Sequence, residues 1–395
     1  MKLLRAYRTE LDPNREQRAL FVKHAGAARF VYNWALSDRI ERYKAGESTN
    51  LYAQKRRFNA LKGEAFPWLA EVSYRAVEQA FTNLDRAYAN FFRRVKAKDK
   101  DPGFPRFKSR KRGLGAFTLR QGIHVEERRI KLPRIGWVRL KERGYLPCAG
   151  VRVLSANVSE RAGRWFVSLQ VEAERPQPAA ATGPAIGVDL GVKVLATLSN
   201  GRVFENPRSL AKYERRLKHL SRELCRRQKG SRNRDKTRRK LARLHARIAD
   251  VRANALHQVS HYLTAKTKPS AVAIEDLNVK GMLANRHLSK AIADASFAEL
   301  RRQLEYKAAW YGVDLVLAGR FYPSSKTCSG CGSVKPLLRL SERTFVCEAC
   351  GLLVDRDLNA ARNLASLTAR RAECACGGER SGLWARCSPA KQEPV

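Results

Sequence analysis

The sequence predicts a multidomain α+β protein: a small antiparallel β-barrel that carries a helical insertion, followed by an α/β domain with a four-cysteine segment set into it. Three observations predict this. Strand-like alternation at residues 1–10 and again over about 115–173 brackets a stretch of helical periodicity. Short apolar strands at 185–190, 271–274 and 313–317 then alternate with helical stretches, the rhythm of an α/β sheet. Two Cys-x-x-Cys pairs, 328–331 and 347–350, interrupt that second half.

The first strand ends at Asp12-Pro13, a turn and helix-start signal. From Asn14 to about Ala45, Leu20, Ala27, Phe30, Val31, Trp34 and Leu36 recur at roughly helical spacing, and a second helix covers about 51–62. The third, about 73–96, lines one face with Val77, Phe81, Leu84, Tyr88, Phe91, Phe92 and Val95. Its other face carries Arg75, Gln79, Asn83, Arg86 and Asn90, which reads either as a solvated surface or as groove contact, since Gln and Asn can pair with adenine and Arg with guanine. A basic loop, 97–113, holds Pro-Gly-Phe-Pro-Arg-Phe at 102–107. Strands follow at 116–119, 130–132, 137–140, 151–159 and 165–173, divided by Gly and Pro turns. The expected domains are a barrel from 1–12 and 114–175, the insertion 13–113, a linker 176–184, an α/β domain 185–327 and 351–370, a cysteine ribbon 328–350, and a disordered tail 371–395.

Beyond the linker, strand-like 194–199 and 202–205 precede a charged helical region over about 208–265. Residues 208–247 contain seventeen Lys and Arg against three Asp and Glu. Leu217, Leu220 and Leu224, then Leu241, Leu244, Ile248 and Val251, keep an apolar stripe beneath that charge, so a packed helical pair with a basic outer surface is expected rather than disorder. Helices are expected at about 296–311 and 357–369.

The 395 residues include 78 Lys and Arg against 37 Asp and Glu, a net charge of +41. Self-repulsion on that scale calls for a polyanionic partner, and phosphate backbones supply one through counterion release. No apolar run approaches the ~18 residues of a membrane span, and the N-terminus lacks a signal-peptide core; a cytoplasmic protein is expected. Of nine cysteines, Cys148, Cys225, Cys374, Cys376 and Cys387 read as free thiols. Cys328, Cys331, Cys347 and Cys350 read as a closed tetrahedral zinc site, structural because no coordination position stays open.

Three acids stand where acid is expensive. Asp189 ends the apolar strand Ala185–Val188, Glu275 ends Ala271–Ile274, and Asp357 opens a helix two residues after Asp355. Singly each has a plain reading, as turn residue, ion-pair partner or N-cap. Strand ends and helix starts of an α/β sheet converge at one edge. Three carboxylates gathered there repel unless Mg²⁺ or Mn²⁺ neutralises them, and two such ions suit phosphodiester hydrolysis.

With these residues in view, the chain resembles the TnpB (OrfB) family of insertion-sequence-encoded proteins, relatives of the type V CRISPR effectors. The motifs are GVDLGVK at 187–193, AIEDLNVKGM at 273–282, YPSSKTCSGCG at 322–332 and CEACGLLVDRDLNAARN at 347–363, with REQRALFVKHAGAARFVYNWAL and PGFPRFKSR near the N-terminus. The resemblance spans nearly all of residues 1–370. It implies an RNase H-like (RuvC-like) nuclease domain with catalytic residues Asp189, Glu275 and Asp357, the last preferred over Asp355 because only Asp357 has Asn two residues later. It implies one structural Zn²⁺, two catalytic Mg²⁺ replaceable by Mn²⁺, a guide RNA from the transposon end, and double-stranded target DNA cut in a bacterial or archaeal cytoplasm, at the nucleoid. A short target-adjacent motif would be read by the insertion and barrel, with Arg75 and Gln79 as candidates. A carboxylate-metal transposase and a non-catalytic guided repressor remain as alternatives.

Overall fold

The computed structural model describes residues 2–174, 178–339 and 341–375. Its contacts divide the chain into two units, Met1–Gln177 with Leu220–Ala246, and Pro178–His219 with Arg247–Val395.

The first unit is built on a seven-stranded sheet. Its strands are β1 (Lys2–Asp12), β2 (Ala116–Leu119), β3 (His124–Val125), β4 (Arg129–Leu132), β5 (Gly136–Leu140), β6 (Arg152–Arg161) and β7 (Arg164–Glu174). They run in the order β2-β6-β7-β1-β5-β4-β3, antiparallel throughout. The expected barrel does not close: among the described residues no ladder joins β2 to β3. The physical reason is local. β3 is two residues long, and Gln121 and Gly122 before it both adopt positive φ, +67° and +63°, which breaks the extended run needed for a ladder. The inner face still forms one core, with Phe117, Leu119, Ile130, Leu132, Val138, Val158, Val167 and Leu169 buried.

Three helices leave the sheet between β1 and β2. α1 (Arg15–Lys44) starts in a reciprocal capping box, Asn14 accepting from the Gln17 N–H while the Gln17 side chain accepts from the Asn14 N–H. α2 (Leu51–Ala65) is capped by Asn50, which accepts from the Ala53 N–H at 2.9 Å. α3 (Tyr74–Lys96) has no side-chain cap from Ser73; the buried His24 of α1 accepts the Ser73 N–H at 2.9 Å through Nε2, while its Nδ1 meets the Leu20 carbonyl at 2.8 Å. Both contacts are satisfied by the neutral Nδ1–H tautomer, and burial lowers the His24 pKa accordingly. Phe58, Val77, Phe81, Leu84 and Tyr88 fill the core between these helices. The expected apolar face of α3 holds only that far: Phe92 and Val95 are 55% and 46% exposed.

The charged region forms α4 (Ser209–Arg226) and α5 (Arg232–His261), with Tyr262–Lys266 continuing as a π-turn. Leu220, Leu244 and Ile248 are buried, so the apolar stripe packs as expected. The segment Leu220–Ala246 groups with the first unit.

The second unit holds a five-stranded sheet of β8 (Ile186–Asp189), β9 (Val194–Leu198), β10 (Val203–Glu205), β11 (Ala271–Glu275) and β12 (Asp314–Ala318), in the order β10-β9-β8-β11-β12. β10, β9 and β8 are mutually antiparallel; β11 and β12 run parallel to β8. α6 (Val279–Ala284), α7 (Ser289–Ala295) and α8 (Phe297–Tyr311) follow β11; α6 and α7 were not expected, being too short to show a period. Val272 and Ile274 bury one face of β11 among Leu256, Leu263, Leu300 and Leu304. The other face presents Ala271 and Ala273, packed with Leu364. Leu364 belongs to α9 (Arg356–Ala375), which runs into the segment expected to be disordered; residues 376–395, with Cys376 and Cys387, lie outside the described residues. Before α9 a small hairpin, β13 (Thr344–Val346) and β14 (Leu353–Asp355), carries the second cysteine pair. Among the described residues no helix is long and apolar enough to cross a membrane.

Candidate active site and metal centre

Small residues decide how closely α9 approaches the sheet. A Cβ on Gly187 of β8 would lie 1.9 Å from the Ala361 carbonyl oxygen and 2.4 Å from the Ala365 nitrogen, so only glycine admits the α9 backbone there. Asp357 sits one helical turn before Ala361, and Asp189 two residues after Gly187. The pairing of Val188 with Ile274 in the parallel β8–β11 ladder places Asp189 and Glu275 one step further along neighbouring strands. The three carboxylates consequently line one cleft of about 790 Å³, together with Lys193, Arg208, Lys290, Arg343 and Arg356.

Asp355 and Asp357 take different tasks. Asp355 Oδ1 accepts the backbone N–H groups of Asp357 and Leu358 at 2.9 and 3.1 Å, making Asp355 the cap of α9. Asp357 in the first turn faces the cleft, with Arg343 at 4.0 Å from its Oδ1.

Three acids in one cleft oppose one another's ionisation. Burial, then the charges of Glu275 and Asp357, raise the Asp189 pKa from 3.8 to about 8, against the opposing pull of Arg356. A carboxyl held that high ionises readily once a divalent cation offsets its neighbours. The all-oxygen donors suit Mg²⁺ or Mn²⁺. The basic residues around them suit a phosphodiester.

The cysteines form a second centre. Cys328, Cys331, Cys347 and Cys350 place their sulfurs within 4.8 Å of one another, with Cys328–Cys350 and Cys331–Cys347 both at 3.6 Å. Tetrahedral zinc with Zn–S of about 2.3 Å sets S–S near 3.8 Å, so the four fit the ion. The two turns are built alike: Gly332 donates to the Cys328 carbonyl and Gly351 to that of Cys347, at 3.0 and 2.9 Å, and both glycines adopt positive φ. Backbone N–H groups of Cys350 and Ala349, directed at the Cys347 sulfur, lower its pKa, whereas at Cys350 a backbone hydrogen bond from Leu352 is outweighed by the neighbouring sulfurs of Cys331, Cys347 and Cys328, which raise its pKa. Among the described residues no other group of three or more His, Cys, Asp or Glu side chains is drawn together in this way.

Arg75 and Gln79 lie in the first unit, beside a polar cleft with Lys55, Glu78, Arg120 and Gln121. Arg75 bonds Glu78 and Gln121, while Gln79 is 5% exposed and donates to Asn83 at 3.1 Å. The polar stripe of α3 is therefore neither simply solvated nor open along its length.

Three site features were not read from the sequence. Ser324 donates to Glu275 Oε1 at 2.6 Å. Asn359 and Asn363 sit inside a motif whose helical spacing was legible but whose bonding partners were not. Asp294 accepts from Ser209 Oγ, the Leu210 N–H and Arg252, tying α7 to the start of α4 and to α5 along the cleft wall. No local pattern announces an acid that is bonded by residues 42 and 85 positions away.

Comparison with known proteins bears on these features. Three family models match: "Probable transposase" (OrfB_IS605) over residues 168–286, "Cas12f1-like, TNB domain" over 297–364, and "Helix-turn-helix domain" over 1–48. The last name does not describe this structure, where residues 2–44 form β1 and the single unbroken α1. A relative from Streptomyces pristinaespiralis, "Putative RNA-guided DNA endonuclease", is 40% identical over 99% of this chain and 96% of its own. "Putative RNA-guided DNA endonuclease InsQ" of Escherichia coli is 36% identical over 100% of this chain and 98% of its own. Among solved structures, a Cas12f1–sgRNA–target DNA complex shares the fold with a TM-score of 0.55 at 17% identity, covering 89% of this chain and 83% of that one. Full-length identity at this level, joined to the matching insertion-sequence model, places the chain in the TnpB (OrfB) family.

Proposed function

We propose that the protein is an RNA-guided DNA endonuclease of an insertion sequence, hydrolysing target phosphodiesters at the cleft of Asp189, Glu275 and Asp357. The observation that carries this reading is the convergence of those carboxylates, from two parallel strand ends and one helix start, inside a wall of Lys and Arg. The names of the full-length relatives support the guided activity. The strand order, three antiparallel strands followed by two parallel to the first, supports an RNase H-like (RuvC-like) domain.

In this reading Asp189, Glu275 and Asp357 hold Mg²⁺, with Mn²⁺ able to substitute. Bound there, two ions would supply an activated water and neutralise the leaving oxygen. The chain's own contribution is orientation. Gly187 sets the distance of α9 from β8, Asp355 caps α9 so that Asp357 stays in its first turn, and Lys193, Arg208 and Lys290 attract the backbone phosphates. Zinc at the four cysteines fixes the ribbon that leads into α9. A guide RNA from the transposon end meets the basic surfaces, and base pairing selects the target. Arg75 and Gln79, beside Lys55 and Arg120, are proposed to read a short duplex motif next to it. For this Arg75 exchanges its bonds to Glu78 and Gln121 for base edges.

The test is to purify the protein with RNA transcribed from its own locus, sequence that RNA, and assay cleavage of matching DNA. One defined RNA that programs Mg²⁺-dependent cutting, lost in Asp189→Ala with binding retained, establishes the reading. Random RNA and strand-transfer products would replace it with a transposase. Guided binding without cutting would replace it with a repressor.

A further inference from the structure

We infer that Ser324, Asn359 and Asn363 form a positioning clamp that sets the Glu275 carboxylate for metal binding and ties its geometry to the zinc ribbon. The inference rests on the proposed metal-holding role of Glu275.

The clamp begins on α9. Asn359 and Asn363, four residues apart on one face, are 0% and 4% exposed. A buried amide is unfavourable without partners, and asparagine is a weak helix former, so two of them inside α9 require an explanation. Their partners all lie in one segment. Asn359 Nδ2 donates to the Thr327 carbonyl at 2.7 Å, and its Oδ1 accepts the Ser329 N–H at 2.9 Å. Asn363 Nδ2 donates to the Ser324 and Thr327 carbonyls at 2.7 and 2.6 Å. Residues 324–329 are thereby fastened to the helix that carries Asp357. Cys328, the first zinc ligand, lies within that segment.

The other end of the segment reaches the cleft. Ser324 is 4% exposed and donates its hydroxyl to Glu275 Oε1 at 2.6 Å. A hydrogen bond of that length to a carboxylate restricts its rotamer and leaves Oε2 as the oxygen outside that bond. Asp357, the clamp, Ser324 and Glu275 thus form one connected chain of contacts, with the cysteine turn anchored on the same stretch of backbone. Residues that orient metal ligands in this way commonly change metal affinity by about 10- to 100-fold when removed.

The experiment measures Mn²⁺ binding to the full-length, zinc-loaded protein by electron paramagnetic resonance, for wild type, Asp189→Asn, Ser324→Ala and Asn363→Ala. Zinc content and thermal midpoint are measured on the same samples. Ser324→Ala is expected to keep one zinc per chain and a near-wild-type midpoint, yet to bind Mn²⁺ about tenfold more weakly. The Mg²⁺ needed for half-maximal cleavage rises by the same factor, while the rate at saturating metal stays within about threefold, a split that loss of packing alone does not produce. Asn363→Ala weakens Mn²⁺ binding in the same sense. A protein carrying both Ser324→Ala and Asn363→Ala falls short of the product of the two effects, because both act through one path. Unchanged Mn²⁺ affinity in Ser324→Ala, with binding lost in Asp189→Asn, overturns the clamp and leaves the metal site standing. Zinc lost together with Mn²⁺ in Ser324→Ala also overturns it, as the residue would then serve ribbon folding. Equal binding by wild type and Asp189→Asn overturns both readings.

Discussion

Replacing Asp189 by Asn should stabilise the Mg²⁺-free protein while abolishing cleavage. The folded-state pKa of Asp189 is raised from 3.8 to about 8, chiefly by burial and by the charges of Glu275 and Asp357. A raised carboxyl pKa contributes stability that is complete below about 3.8 and lost as pH rises through 8, where the native state must hold a charge it disfavours. The gap, 8 − 3.8, is about four units, and one unit is worth 1.36 kcal/mol, which sets a ceiling of roughly 5 kcal/mol. Asp189 is largely buried but keeps one edge on a cleft that admits water, so screening there reduces the expected gain to about 2 kcal/mol. The amide is isosteric and uncharged. The assay is thermal unfolding from pH 4 to 8.5 without added Mg²⁺ and with zinc left in place. Near pH 4 the two proteins should converge. At pH 8 the variant should melt about 5 °C higher, and added Mg²⁺ should raise only the wild type. A variant less stable than wild type at pH 8, or one that still cuts, would refute the account of a carboxylate cluster awaiting a cation.

Cys347→Ser should release zinc and unfold the ribbon, destabilising the C-terminal half, because structural zinc binding is coupled to folding; zinc titration by a chromogenic chelator and limited proteolysis would show it, and a zinc-free variant that resists proteolysis contradicts it. Gly187→Ala should cost roughly 3 kcal/mol or more, since the added methyl meets α9 backbone that cannot move alone; a midpoint unchanged in urea would mean α9 is not seated as described. His24, neutral and lowered in pKa by burial, contributes stability present above about 6.5 and lost as pH falls through its lowered value; in urea titrations His24→Gln should flatten that acid limb, and an unchanged limb would assign it elsewhere. Substituting Arg75 and Gln79 together should change the target-adjacent motif recovered from a randomised library, and an unchanged motif removes them from readout.

Much of the molecule was legible one residue at a time. The helix start after Asp12-Pro13, the alternation of β6 and β7, and the apolar stripe through Leu220, Leu244 and Ile248 are local patterns, and local patterns follow from backbone geometry that the sequence carries directly. The cysteine pairs were legible for a similar reason, because knuckle spacing is a short-range constraint. The acids at strand ends were candidates on the same footing, and the family resemblance chose among their readings.

Tertiary structure decided what depends on distant partners. An eleven-residue β1 and a two-residue β3 both belong to one sheet, yet only the three-dimensional pairing shows that its edges do not meet. In the sequence only the family pattern separates Asp357 from Asp355; in the structure Asp355 caps α9 and Asp357 lines the cleft. Ser324 and the two asparagines gain their significance from partners up to 49 residues away. The sequence by itself determined which residues could carry charge, metal and periodic burial, since those are properties of side-chain chemistry and spacing. Which of them meet was decided by packing, above all by the missing side chain of Gly187 that lets α9 lie against β8.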